Sequence, residues 1–228
     1  MSYTSKTAYR SQGRYFFTRQ NAARLAVSAM GFFIGRTILF EMINPVAIGF
    51  LSSLLGTGVS FYTTAVLLLL GIGTKLEGIY LIRYVICFGV LTIVNILVRQ
   101  FLVRQKSLYF TGFAQSIIGA GCIMAGGLVA AWINDRSMYL VSIALMESAL
   151  VFFLVFVLKR AALVLTGPKR KLTVNNEELI SLAILFGCII AGASDIYIGV
   201  VSLRYFLCFY FVLMAAYLSD AATAAAAG

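Results

Sequence analysis

Seven apolar runs, near residues 25–40, 45–73, 79–98, 111–133, 138–158, 179–194 and 201–219, fill most of this 228-residue chain. A helix of about 20 residues crosses a hydrocarbon core of about 30 Å, and most of these runs have that length. Charged residues make up only 11% of the chain and hydrophobic ones 61%, whereas soluble domains carry about 25% charged residues. A water-soluble fold could not hide so much apolar surface. In lipid every backbone polar group needs an internal partner, so the sequence predicts an all-α integral membrane protein, a polytopic helical bundle.

The 45–73 run does not fit a single crossing, since 29 residues would make a helix of about 43 Å. Gly56-Thr57-Gly58 weakens helix at its middle. Two short helices, 45–56 and 60–73, are expected, which either cross or form a re-entrant hairpin. The chain then has about eight membrane segments, two of them short. Residues 1–24 are polar and basic with no cleavage pattern, so they read as a cytoplasmic tail ahead of a membrane domain over 25–228. With that tail inside, the inner regions 1–24, 99–110 and 159–177 hold thirteen Lys and Arg. The outer loops hold only Lys75 and Arg136. Such asymmetry fixes a cytoplasmic N-terminus, and the same span count returns the C-terminus to that side.

The net charge of +10 therefore marks loops facing anionic lipid, not nucleic acid. Histidine is absent, which removes His-dependent triads, His–metal sites and His proton relays. Cys87, Cys122, Cys188 and Cys208 lie in apolar runs without CxxC spacing and read as packing residues. Gly71-Ile72-Gly73-Thr74-Lys75 lacks the first glycine of a phosphate loop and reads as a helix end. No catalytic, cofactor or metal site is expected.

Four charges fall within spans or at their edges. Arg36, Arg83 and Arg204 lie about a turn from the outer helix ends, where snorkelling costs little. Glu147 lies deepest and should face the bundle interior, protonated or paired with Arg. It reads either as an ion or proton site or as a structural clamp. The lack of a second acid or His beside it favours the clamp.

An internal repeat is also visible. Gly78-Ile79-Tyr80-Leu81-Ile82-Arg83-Tyr84-Val85-Ile86-Cys87-Phe88 aligns with Gly199-Val200-Val201-Ser202-Leu203-Arg204-Tyr205-Phe206-Leu207-Cys208-Phe209 at a constant offset of 121, and Gly71 falls on Gly192. An even number of crossings separates the copies, as in a parallel duplication. Arg83, Tyr84, Arg204 and Tyr205 would anchor the two copies. Gly31-xxx-Gly35, Ala183-xxx-Gly187-xxx-Ala191 and Ala215-xxx-Ser219-xxx-Thr223 put small residues on single helix faces suited to close helix contact or self-association. The Ala-rich close at Ala221–Gly228 has no polar stop, and further helices are expected after it.

Gly35-Arg36-Thr37-Ile38-Leu39 followed by Asn44-Pro45-Val46-Ala47 resembles the opening membrane segment of the stage II sporulation protein E family. The two Gly-x₄-Arg-Tyr stretches, the basic tail and the Ala-rich close are similar to that region too. The resemblance implies a membrane region of about ten helices, joined through a central oligomerisation region to a cytoplasmic metal-dependent serine phosphatase. The implied role is at the asymmetric septum of spore-forming bacteria, where dephosphorylation of an anti-anti-sigma factor activates a forespore sigma factor. It also implies contact with the tubulin-like division protein. No phosphatase residue can be carried onto this chain, so Mn or Mg is expected only in the absent domain. This chain would be the anchoring, assembly and septal localisation module, with the bilayer and further copies of itself as partners. The alternative is a small-solute transporter or channel, suggested by the broken 45–73 segment, the repeat and Glu147.

Overall fold

The computed structural model describes residues 19–40, 42–55, 61–105, 112–134, 138–166 and 176–218. Among the described residues the apolar runs become eight helices: α1 (Arg19–Gly35), α2 (Pro45–Ser53), α3 (Phe61–Gly73), α4 (Gly78–Gln105), α5 (Gly112–Ile133), α6 (Met138–Thr166), α7 (Asn176–Gly192) and α8 (Leu203–Leu218). The strands among the described residues are β1 (Tyr197–Ile198) and β2 (Val201–Ser202), an antiparallel pair with Tyr197 opposite Ser202. The body is all-α. Among the described residues three stretches are long and apolar enough to span a bilayer: Gly78–Val98, Gly112–Ile133 and Met138–Leu165. The apolar stretches Leu25–Gly35, Phe61–Gly73 and Leu203–Leu213 are shorter, so helix length alone does not yield eight crossings.

The long 45–73 run is two helices. Asn44 caps the first, its side-chain oxygen accepting from the Ala47 N–H at 3.0 Å, and Pro45 occupies the first turn. Asn followed by Pro is a strong helix start, because the cap satisfies a free N–H and proline lacks one to satisfy. The helix closes at Ser53, where the Leu54 and Leu55 N–H groups donate to Leu51 O and Ser52 O, each at 3.2 Å. Gly56-Thr57-Gly58 lies outside the described residues.

Every residue of α2 is buried. Asn44 lies beside Glu147 of α6, and Gly49 lies against Leu154 and Leu158 further along it. At the other end Leu55 O accepts from Gln115 Nε2 of α5 at 2.6 Å. Thus α2 runs parallel to α6 and antiparallel to α5, through the middle of the bundle. Its apolar residues join Val151, Val155 and Leu158 of α6 and Cys122 and Ile123 of α5 in one core.

A second layer is built on α1. Gly31 meets Thr64 and Leu68 of α3, while Gly35 abuts Leu68 and Gly71, so α1 and α3 run side by side in the same direction. On its other flank α1 receives α7, with Gly192 against Phe33 and Thr37. The three helices α1, α3 and α7 therefore end together at one end of the bundle.

Candidate functional site

Four residues from two helices and one joint meet beneath that end. Arg83 and Tyr84 come from the second turn of α4, Glu147 from α6 and Asn44 from the segment joining α1 to α2. All four are fully buried, at 0% exposure. Arg83 Nη2 forms an ion pair with Glu147 Oε2. The other carboxylate oxygen accepts from the Tyr84 hydroxyl and, at 3.2 Å, from the Asn44 backbone N–H. The Asn44 N–H also donates to the Tyr84 oxygen. The Arg83 guanidinium carbon lies 5.5 Å from the centre of the Tyr84 ring, over its face, an arrangement that stabilises a desolvated cation.

Asn44 serves both neighbouring helices. While its oxygen caps α2, its Nδ2 donates to Gly35 O at 2.7 Å and Ile34 O at 3.3 Å, closing the carbonyl end of α1. The start of α2 carries the positive end of its dipole toward Glu147, which adds to the attraction from Arg83. Taking two charges out of water costs several kcal/mol per ion, and their attraction offsets this only with good geometry and further hydrogen bonds. Glu147 has those further bonds. Arg83 does not: its Nε and Nη1 have no hydrogen-bond partner among the described residues.

Arg83 thus departs from the expectation of an interfacial, snorkelling arginine. Its neighbour in the bundle is a carboxylate from α6, and pairing outcompetes extension toward an interface. Arg36 does lie near the helix ends and is half-buried. Its Nη1 donates to Thr74 Oγ1 at 2.8 Å and its Nε to Gly192 O at 3.2 Å, so it ties α3 and α7 together across the end of α1. Lys75 and Asp195 form a partly exposed ion pair between the same two corners, and Thr37 Oγ1 donates to Cys188 O at 2.8 Å. Arg204 and Tyr205 are exposed on α8, far from the environment of their repeat counterparts.

Asn44 is a site residue that charge-based reading passes over. Its signal is the Asn-Pro pair ahead of an apolar run. Asn95 and Gln115 are likewise buried; both Asn95 amide atoms and Gln115 Oε1 have no hydrogen-bond partner among the described residues. Cys87 packs as expected, its thiol donating to Cys122 O at 3.3 Å. Of the small-residue faces, Gly31 and Gly35 are consumed inside the fold by α3. Gly187 and Ala191 are exposed on α7, and the third face extends outside the described residues.

A membrane-type helical domain, with its charges paired inside and apolar side chains such as Val66, Ile93, Phe153 and Phe206 turned outward, is what the fold defines. The family model described as SpoIIE, N-terminal domain matches residues 2–228, and the chain belongs to that family. It is the non-catalytic, membrane-anchoring part of a sporulation protein. No curated protein and no solved structure matches the chain.

Proposed function

We propose that this domain holds a cytoplasmic serine phosphatase in the membrane of a spore-forming bacterium and directs it to the asymmetric septum. The match to the sporulation family over residues 2–228 carries this reading. The fold supports the anchoring part physically. The buried Arg83–Glu147 pair sits beside a segment where the chain leaves a helix, turns and re-enters the bundle at Asn44. Non-helical backbone at membrane depth needs partners from protein, and Tyr84, Glu147 and Asn44 itself supply them. The cluster in this reading is a clamp that keeps the short helix α2 seated. The septal step, self-association and contact with a tubulin-like division protein rest on the family resemblance.

A reporter fusion tests the location. Fused to a fluorescent protein in sporulating cells, residues 1–228 are expected to insert and concentrate at division sites. Uniform peripheral signal from a correctly inserted fusion would count against septal targeting by this domain.

The orientation proposed is cytoplasmic for both termini and for the 99–110 and 159–177 loops, from the thirteen-to-two distribution of basic residues. With the four cysteines replaced, single cysteines at Gln105 and Lys169 should stay unlabelled by an impermeant maleimide in intact cells and react after permeabilisation. Labelling of either position in intact cells reverses the topology.

A second reading, a solute or ion pathway, draws on the buried Asn95 amide and on Arg83 Nε and Nη1. Flux through proteoliposomes that disappears in Asn95→Leu while the fold survives would favour it.

A further inference from the structure

The two repeat copies share a glycine corner and differ in what surrounds the arginine. Gly78 and Gly199 both adopt left-handed backbone, at φ 61° and 66°, and each precedes the helix that carries its Arg-Tyr pair. Ahead of that glycine the first copy reads Lys75-Leu76-Glu77 and the second Ile196-Tyr197-Ile198. Charged side chains in one corner are thus aliphatic in the other, while the arginine is common to both. Arg83 is fully buried and its counter-ion is Glu147. Arg204 is exposed on α8 and has no carboxylate partner among the described residues. Asp195, the acid that precedes the second corner, is taken by Lys75.

What Arg204 has instead is a hollow. The segment after α7 folds back as the β1–β2 hairpin, closed where the Leu203 N–H donates to Ile196 O at 2.7 Å. The buried Ser202 hydroxyl accepts from the Arg204 N–H at 3.3 Å and donates to Ser194 O at 3.4 Å. These bonds fix the corner so that Ser194, Tyr197, Ser202, Arg204 and Tyr205 line an open hollow of about 390 Å³. Apolar side chains stand beside it without cover. Val200 is 99% exposed, and Val201 on the hairpin and Phe206 and Phe209 further along α8 are exposed too.

The hollow lies at the end of the bundle that carries exposed Trp132, near the close of α5, and exposed Tyr139, near the start of α6. The Tyr139 hydroxyl reaches Met42 Sδ in the α1–α2 joint. Arg36, at the start of that joint, holds Gly192 O at the end of α7. Trp and Tyr gather at the headgroup level of membrane proteins, so Arg204 stands at that level.

We propose that this hollow is a phospholipid site. Arg204 takes the phosphodiester of the headgroup, the hydroxyl groups of Tyr197 and Tyr205 border it, and the acyl chains run over Phe206 and Phe209 along α8. Charge complementarity selects the occupant. At headgroup level, among bare aliphatic and aromatic side chains, the abundant oxyanion is the lipid phosphate, and a guanidinium holds phosphate oxygens through paired, charge-assisted hydrogen bonds. The proposal rests on the membrane reading of the domain and not on septal targeting.

The test uses the full chain, extracted from membranes in detergent, titrated with phosphatidylglycerol and analysed by native mass spectrometry. Absence of the chain from the membrane fraction, seen before any titration, would count against the membrane reading itself. The parent is expected to retain a phosphatidylglycerol that Arg204→Gln binds roughly tenfold more weakly, the loss expected for a hydrogen bond to a charged group. Arg160→Gln removes the same charge near the far end of α6, from an exposed ion pair with Glu177, and should leave the affinity unchanged. Diacylglycerol, with chains and no phosphate, should not distinguish the parent from Arg204→Gln. Glycerol phosphate, with the phosphate and no chains, should not displace the lipid. Equal affinity of the parent and Arg204→Gln for phosphatidylglycerol overturns the proposal. An equal loss in Arg160→Gln does so too, by reducing the effect to net charge. Displacement by glycerol phosphate would make this a soluble-phosphate site, and lipid-free dimers that Arg204→Gln dissociates would give the hollow to a second copy; either result overturns the lipid assignment.

Discussion

Glu147→Leu is expected to destabilise the domain by about 3–5 kcal/mol, because it leaves the Arg83 guanidinium charged and alone in a site with no solvent access. The Tyr84 hydroxyl and the Asn44 N–H lose their acceptor in the same step, so α2 also loses the contact that holds its first turn. Arg83→Leu should cost a similar amount, since it strands the carboxylate. The double variant is the informative one. With both charges gone and leucine filling the space, much of the loss should be recovered, as commonly happens when a buried ion pair is replaced by apolar side chains. Glu147→Gln, which a clamp held only by hydrogen bonds would tolerate, is expected to be damaging too. It keeps an acceptor for Tyr84 and Asn44 but leaves Arg83 without a counter-charge. Thermal unfolding of the four variants in detergent micelles provides the comparison. A double variant whose loss equals the sum of the two single losses would mean that the pair does not couple α4 to α6.

The residue pattern carried the helical body, because seven apolar runs of this length admit few other solutions in lipid. It also carried the division of the 45–73 run into two helices, from the run's length and the glycines of Gly56-Thr57-Gly58. Burial of Glu147 left it either protonated or paired with an arginine, and could not say which arginine. Arg36, Arg83 and Arg204 occupy similar distances from their helix ends, and sequence places all three at an interface. Packing separates them: Arg36 spans two helix corners, Arg83 enters the core, and Arg204 stays exposed. Asn44 was hidden for a different reason. Its role depends on two helix ends meeting at one side chain while Tyr84 and Glu147 take its backbone N–H, a tertiary coincidence with no linear period. The small-residue faces show the same limit, since the spacing of Gly31 and Gly35 matches any close helix contact and says nothing about whether the partner lies within the chain.

The glycines at the helix ends yield the other large effect, and they divide by environment instead of by residue type. At Gly192 an added Cβ would sit 1.8 Å from Phe33 O, and at Gly71 it would sit 2.3 Å from Phe32 O. Both obstacles are backbone carbonyls, which no side-chain rotation can clear, so α1 must separate from α7 or α3. Separation breaks what depends on that approach: the Thr37 bond to Cys188 O and the Arg36 bonds to Gly192 O and Thr74. Overpacking of this kind costs about 1–3 kcal/mol, occasionally more, and here lost polar contacts add to it. Gly192→Ala and Gly71→Ala are each expected to lose at least that much. Gly187→Ala, five residues earlier on α7, meets nothing within 4 Å and should be neutral or slightly stabilising, since alanine is favoured over glycine in a helix by about 1 kcal/mol. Gly121→Ala on α5, equally unobstructed, gives a second control on a different helix. Melting midpoints of the four proteins decide the matter, with the clash positions low and the controls at or above the parent. If Gly187→Ala fell as far as Gly192→Ala, close approach to α1 would not be what these glycines provide.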